Sequence, residues 1–356
     1  MIEIDGAFGE GGGQILRTSI ALSALTMQSV SIDNIRAGRP KPGLKRQHLA
    51  GIEVLAQLVK ADVRGMEVGS TQIEFTPRER RGGHFSYDVG TAGSISLILQ
   101  AALPTAVLSP EPVRFDLIGG TDVAWSPPID YMHDVFVHAL HTMGPVVDIS
   151  LKRRGHFPRG GGQVSCTVTP VEKIEPIERD RFGELQEVRG ISHCVRLPPH
   201  VAERQANSAR DRLHESGITE VLIEKESYKK QEDRHLGAGS GIVIWAESVS
   251  GIRLGADSLG AKGKPAEDVG SECANHLLKE LSTGMAVDSH LCDMLIPYMT
   301  LADGVSRIGV TEITSHLKTN IWAAMKLLDA DISLQGKLGE PGTLVVSGTG
   351  LALGDT

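Results

Sequence analysis

Four stretches of the chain carry residues whose types and spacing suit work on an anion. Gly9-Glu10-Gly11-Gly12-Gly13-Gln14 precedes an apolar run, and glycine ahead of a helix lets backbone N–H groups approach a phosphate. The run is not a GxGxxG dinucleotide fingerprint, because Gln14 holds the last position. Gly38 and Gly43 have P-loop spacing, but Leu44 stands where lysine is required. Arg36-Ala-Gly-Arg39-Pro-Lys41-Pro-Gly-Leu-Lys45-Arg46-Gln47 places five basic residues in eleven positions, on a loop stiffened by two prolines. Arginine forks match phosphate oxygens and lysine acts as a point charge. Thr311-Glu-Ile-Thr-Ser-His316-Leu-Lys-Thr-Asn320 sets His316 where a β-like run meets a helix-like one. In Asp288-Ser-His290-Leu291-Cys292-Asp293-Met294, His290 and Asp293 are three apart and share a helical face. Such a pair suits metal binding or pairing with the helix dipole. Gly160-Gly161-Gly162 reads as a turn or bulge.

These stretches fall at matching places in a pattern that recurs along the chain. An apolar helix, a short strand, a loop, a second helix and a hairpin are expected three times. The first copy has helices over Gly13–Met27 and Leu44–Val59 around a strand at Val30–Arg36. The second has Gly93–Val107 and Ile129–Met143 around Val113–Ile118. The third has Asp288–Leu301 and Leu317–Leu328 around Ser306–Thr311. The hairpins are expected at Asp62–Thr76 with His84–Val89, at Val146–Leu151 with Gln163–Val168, and at Ile332–Leu334 with Thr343–Ser347. The basic loop, Gly119-Gly120-Thr121-Asp122 and the His316 loop then leave equivalent strand ends, where α/β proteins gather ligands. The stretch Arg181–Glu280 breaks the period. It carries helices at His200–Ser216 and Asp268–Leu281 and strands at Gly241–Glu247 and Ile252–Asp257, and reads as an inserted subdomain. The expected division is a large domain from 1–180 and 281–356, and a small one from 181–280. Three units that each bury a helical face would pack as one pseudo-symmetric α/β body.

The composition narrows the class. The chain has 356 residues, 40% of them apolar and 22% charged, with 41 glycines and 4% aromatics. Apolar residues recur throughout, which excludes low-complexity disorder. The longest apolar stretch, Ser94–Leu108, is broken by Gln100 and Pro104 and falls short of the ~20 residues of a membrane span. The start of the chain has two acids and no basic segment, so no signal peptide is expected. The cysteines at 166, 194, 273 and 292 form no CxxC pair, which points to a reducing cytoplasm without a zinc ribbon. A net charge of −8 argues against coating nucleic acid through bulk charge, but not against gripping one end of it with a local basic patch.

Together, Gly9-Glu-Gly-Gly-Gly-Gln-Ile-Leu-Arg17, Arg36-Ala-Gly-Arg39-Pro-Lys-Pro-Gly-Leu, Gly93-Ser-Ile-Ser-Leu-Ile-Leu-Gln100, Gly119-Gly-Thr-Asp122 with Pro127-Pro128, and His316-Leu-Lys-Thr-Asn320 resemble the RNA 3′-terminal-phosphate cyclase family, in order from residue 3 to about 350. The resemblance implies an α/β fold of the α+β type: three repeats of a two-helix, four-stranded unit with a smaller inserted α/β domain. It implies ATP as co-substrate, Mg²⁺ or Mn²⁺, and an RNA 3′-phosphate end as partner, with no membrane and with the oligomeric state left open. By position, it makes His316 the nucleophile. Gln100, Pro127 and the stretch His290, Leu291, Cys292, Asp293 and Met294 become the ATP pocket. Arg17, Arg36, Arg39 and Gln47 become the binders of phosphate and RNA end, and Glu10 the metal residue. Many relatives carry an aromatic residue where His290 stands.

The implied reaction has three steps. Neutral imidazole attacks the ATP α-phosphorus and pyrophosphate leaves; histidine is readily neutral near physiological pH. AMP passes to the RNA 3′-phosphate, and the adjacent 2′-OH then displaces AMP to close a 2′,3′-cyclic phosphate, an intramolecular step favoured by proximity. Asp293 is expected to orient His316 or the ribose. Two other readings share the architecture. One is a non-catalytic, ribosome-assembly branch of the family, which lacks the histidine. The other is a sugar-phosphate transferase, which needs no histidyl–nucleotide adduct.

Overall fold

A computed structural model describes residues 1–328 and 330–352; residues 353–356 of the expected large domain lie outside the described residues. The chain opens with β1 (Ile2–Asp5), α1 (Gly13–Thr26), β2 (Val30–Asp33), α2 (Arg46–Leu58), β3 (Asp62–Arg64) and β4 (Ile73–Thr76). These strands form a sheet of order β1-β2-β4-β3 in which β1 and β2 are parallel and the other pairs antiparallel. Next come β5 (Gly83–Asp88), α3 (Ile95–Ala106) and β6 (Val113–Gly119). A helix follows that runs as α4 (Ile129–Tyr131), a π-helical turn (Met132–Phe136) and α5 (Val137–His141), and then β7 (Val146–Arg153) and β8 (Gly162–Thr169). The sheet order is again β5-β6-β8-β7, with β5 parallel to β6.

The third copy starts with β9 (Glu178–Arg179) and is then interrupted by β10 (Leu185–Val195), α6 (His200–Glu215), β11 (Val221–Ser227), β12 (Gly239–Ser248), β13 (Arg253–Leu259) and α7 (Ala266–Ser282). It resumes with α8 (Ser289–Leu301), β14 (Val305–Val310), α9 (Ser315–Leu328), β15 (Asp331–Gln335) and β16 (Gly342–Ser347). Its sheet, β15-β16-β14-β9, repeats the topology of the other two, with β9 parallel to β14. The interrupting strands pair among themselves in the order β11-β10-β12-β13.

This arrangement corrects two expectations. His84–Val89 does not extend the first unit's hairpin: it is the parallel first strand of the second unit. The strand after α1 ends at Asp33 rather than Arg36, because Asn34 and Arg36 adopt left-handed φ values of 52° and 55° that turn the chain into the basic loop.

One apolar core joins the three units. Alternating residues of β6 and β16 point inward, and the helices α1, α2, α3, α8 and α9 pack on one another beneath the sheets. α3 is buried at every position except Gln100. A second apolar cluster, including Val188, Ile242, Ile244, Leu213 and Leu277, lies between α6, α7 and the β10–β13 sheet. No described helix is long and apolar enough to cross a membrane.

Asp288 is the N-cap of α8 and ties three parts of the chain together. Its Oδ1 accepts the N–H groups of His290 (3.1 Å) and Leu291 (3.0 Å) and the hydroxyl of Tyr131 on α4 (2.6 Å). Its Oδ2 accepts Gly255 N–H on β13 (3.0 Å). Tyr131→Phe, which removes one donor to a carboxylate, should lower stability by about 2 kcal/mol. Asp288→Ala should cost clearly more, about 3 kcal/mol or above, since it removes the cap and strands the Tyr131 hydroxyl and Gly255 N–H. Urea midpoints of the two variants measure this; equal midpoints would make Asp288 a local cap without a joining role.

Candidate active site

The loop between β1 and α1 and the start of α9 meet, although they are some three hundred residues apart. His316 lies in the first turn of α9, whose Leu317 N–H bonds Thr314 Oγ1 at 2.9 Å. His316 Nε2 is 3.0 Å from Glu10 Oε2, and its Nδ1 is 3.8 Å from Asp293 Oδ2 on α8. The imidazole is 48% exposed and Glu10 43%, whereas Asp293 is only 12% exposed. The imidazole therefore faces solvent between an open and a nearly buried carboxyl.

Asn320, one turn along α9 and buried, fixes this meeting. Its Oδ1 accepts Gln14 Nε2–H (2.9 Å) and Thr18 Oγ1–H (2.7 Å) from α1, and its Nδ2 donates to the Asp293 carbonyl (3.3 Å). Phe8 stacks on Trp322 with centroids 4.1 Å apart, which seats the glycine loop on α9. Gly9, at φ 66°, passes so close to Thr319 Oγ1 that a Cβ would collide with it.

Basic side chains crowd the other side of the glycine loop. A Cβ at Gly13 would lie 2.7 Å from His48 Nε2 and 2.9 Å from Arg17 Nη1, so glycine lets both approach the start of α1. Arg39 is exposed and donates to the Glu10 carbonyl at 3.2 Å. Arg17 donates to Gln14 Oε1 at 2.7 Å and pairs with no carboxylate among the described residues. Burial lowers Arg17 to about 10, as expected for a cation without a counter-ion. Burial, with the charges of Arg17, Arg36 and Lys45, drives His48 down to about 3, so its ring is neutral; its Nδ1 accepts Lys45 N–H at 3.1 Å.

The remaining site candidates divide. Gln14, Arg17, Gln100, Asp293, Met294 and Asn320 line one cleft between α1, α3, α8 and α9. Gln47, half-buried on α2, lines an adjoining hollow that also contains Arg17. Arg36 is turned inward: it is 6% exposed, and its Nη1 donates to the carbonyls of Lys41 (2.7 Å) and Gly43 (2.9 Å). It braces the basic loop instead of presenting its charge to an RNA end. Leu291 and Cys292 are buried in the apolar core, and neither lines this cleft. His290 is exposed and meets Tyr131 edge-on at 6.2 Å. Pro127 lies half-buried in the loop leading to α4 and is not among the residues lining the cleft.

The second unit's equivalent loop takes partners of its own. Thr121 and Asp122 turn toward Gly155 and Arg154. Gln14 and His48 were missed as site residues. Their sole sequence signal is adjacency to Gly13 and Gln47; the partners that give them a role lie across the fold.

Known proteins resemble this chain over nearly its whole length. A model of the RNA 3′-terminal phosphate cyclase family matches residues 8–334. The chain is 51% identical over 346 residues to the RNA 3′-terminal phosphate cyclase of Methanopyrus kandleri, covering 97% of this chain and 98% of that one. It is 50% identical over 349 residues to the protein of that name from Ignicoccus hospitalis, with 98% and 99% covered. Against the one from Thermococcus kodakarensis it is 49% identical over 345 residues, with 97% and 98% covered.

Burial, aided by the Asp288 and Glu10 carboxylates, pushes Asp293 well above the usual carboxylate range. The folded chain thus holds this proton more tightly than the unfolded chain. The associated stability is present at low pH and is lost as pH rises from the ordinary value of 3.8 upward. Asp293→Asn has no proton to lose. Its melting temperature should therefore gain on that of the wild type between about pH 5 and 8; a pH-independent difference would show an ordinary carboxylate.

Proposed function

Because the chain belongs to the RNA 3′-terminal phosphate cyclase family, we propose that it converts an RNA 3′-phosphate end to a 2′,3′-cyclic phosphate at the expense of ATP, with His316 as nucleophile. The observation that carries this reading is the exposed His316 ring held between Glu10 and Asp293 beside the basic side of the glycine loop.

For the attack Glu10 gives up its 3.0 Å contact with Nε2, and the tautomer with its proton on Nδ1, the nitrogen on the Asp293 side, leaves the lone pair on Nε2. Nε2 attacks the α-phosphorus of ATP, and the bond to the bridging oxygen breaks with loss of pyrophosphate. Arg17 and Arg39 stabilise charge on the phosphates, and the N-terminal turn of α9 adds its positive dipole end. Gln100, the polar exception on the otherwise buried α3, is placed to bond the nucleotide in the cleft. An oxygen of the RNA 3′-phosphate next takes AMP from Nε2. The adjacent 2′-OH then attacks the activated phosphorus, its proton passing to solvent as AMP leaves.

A divalent cation suits Glu10 and, with loss of the proton that its burial retains, Asp293, whose Oδ1 is buried with no hydrogen-bond partner. Mg²⁺ or Mn²⁺ bound there would neutralise phosphate charge. The four cysteines are buried and unpaired, which supports a reducing cytoplasm.

The test uses ATP labelled at the α-phosphate, followed by denaturation. The wild type should keep label through an acid-labile bond and His316→Ala should keep none. Equal label on both would reject His316 as nucleophile.

A further inference from the structure

Away from the cleft, the loop after β6 ends in a buried group of ionisable side chains that the proposed chemistry does not use. Asp122, from that loop, and His156, from the β7–β8 connection, meet His193 of β10; they are 2%, 5% and 0% exposed. Their ligating atoms all lie within 4.8 Å of one another. His156 Nε2 and His193 Nε2 face each other at 3.3 Å, and His193 Nε2 is 3.8 Å from Asp122 Oδ1. Two nitrogens bound at ~2.0–2.1 Å to one tetrahedral ion stand about 3.3 Å apart, so the two rings already have the spacing of a shared metal.

Charge points the same way. Arg154 reaches Asp130 (2.8 Å), Glu226 (2.6 Å) and, at 3.4 Å, Asp122. One guanidinium faces three carboxylates, a surplus of two negative charges that a divalent cation would cancel. His235, 5% exposed, lies close enough for its charge to act on both rings. Its Nδ1 bonds Asp233 Oδ1 at 2.8 Å, while its Nε2 is buried with no partner. That arrangement resembles the second shell of metal-binding histidines, although His235 stands outside the three residues whose ligating atoms meet.

We propose that Asp122, His156 and His193 bind a divalent transition-metal ion of the zinc class, which pins the second repeat unit to the β10–β13 sheet. Two imidazoles and one carboxylate in a dry site favour zinc, cobalt or nickel over magnesium.

The full chain, made without a polyhistidine tag, is incubated with zinc chloride, desalted and assayed for metal by mass spectrometry. About one zinc per chain should remain, in the wild type and in Glu10→Gln alike. The double variant His156→Ala/His193→Ala should lose at least about tenfold of it. Should that variant fail to fold, cobalt loading of the wild type gives an independent reading through the visible bands of a tetrahedral ion. Chelation should lower the wild-type melting temperature, and zinc should restore it. No retained zinc and no cobalt band would overturn the site and assign the charge balance to protons. Zinc that persists in the double variant would place it elsewhere, and retention without any melting shift would overturn the pinning role.

Discussion

The amide of Asn320 is the interaction on which the arrangement around His316 depends. One oxygen accepts two donors from α1, and one nitrogen donates to a carbonyl of α8. Asn320 is buried, so its amide oxygen and nitrogen would each be left unpaired at a cost of about 1–3 kcal/mol if the helices shifted. α1 brings the glycine loop and Glu10, α8 brings Asp293, and α9 brings His316. A single side chain thus sets the distances between three groups drawn from opposite ends of the chain, and Phe8 on Trp322 guards the same contact with apolar area.

The three units repeat one topology but not one use. Unit one lines the cleft with α1, unit three with α8 and α9, and unit two supplies Gln100 from the middle of a buried helix. The loop of unit two is held by Arg154, Thr121 and Gly155 at the boundary with the β10–β13 sheet. A symmetric scaffold therefore carries an asymmetric site, because the interruption of the third unit after β9 gives one loop a different neighbour.

Much of the architecture was legible in the sequence, and the failures have physical causes. Long apolar helices such as α1, α3 and α8 declare themselves by composition and length. β9 is two residues long and β5 is mostly exposed, so neither has a clear period, and β5 was attached to the preceding hairpin. β10 and β11 were overlooked because charged residues interrupt them on their exposed face. At the site, His316, Glu10 and Arg39 could be found as residue types in stiff or glycine-rich loops. The inward turn of Arg36 could not, since it depends on a left-handed backbone and on two carbonyls of its own loop. The core positions of Leu291 and Cys292 and the neutral ring of His48 likewise follow from neighbours that only the fold supplies.

Asn320→Asp tests the central claim most directly. The change keeps the size of the side chain and an acceptor for Gln14 and Thr18, but turns the donor facing the Asp293 carbonyl into a second acceptor. The quantity to measure is the rate of the proposed AMP uptake from ATP in this folded variant. A loss of roughly tenfold or more, about 1.4 kcal/mol of barrier, with melting within a few degrees of the wild type, is the result this structure predicts. Uptake at the wild-type rate would contradict it, and would mean that His316 is positioned without the Asn320 lock.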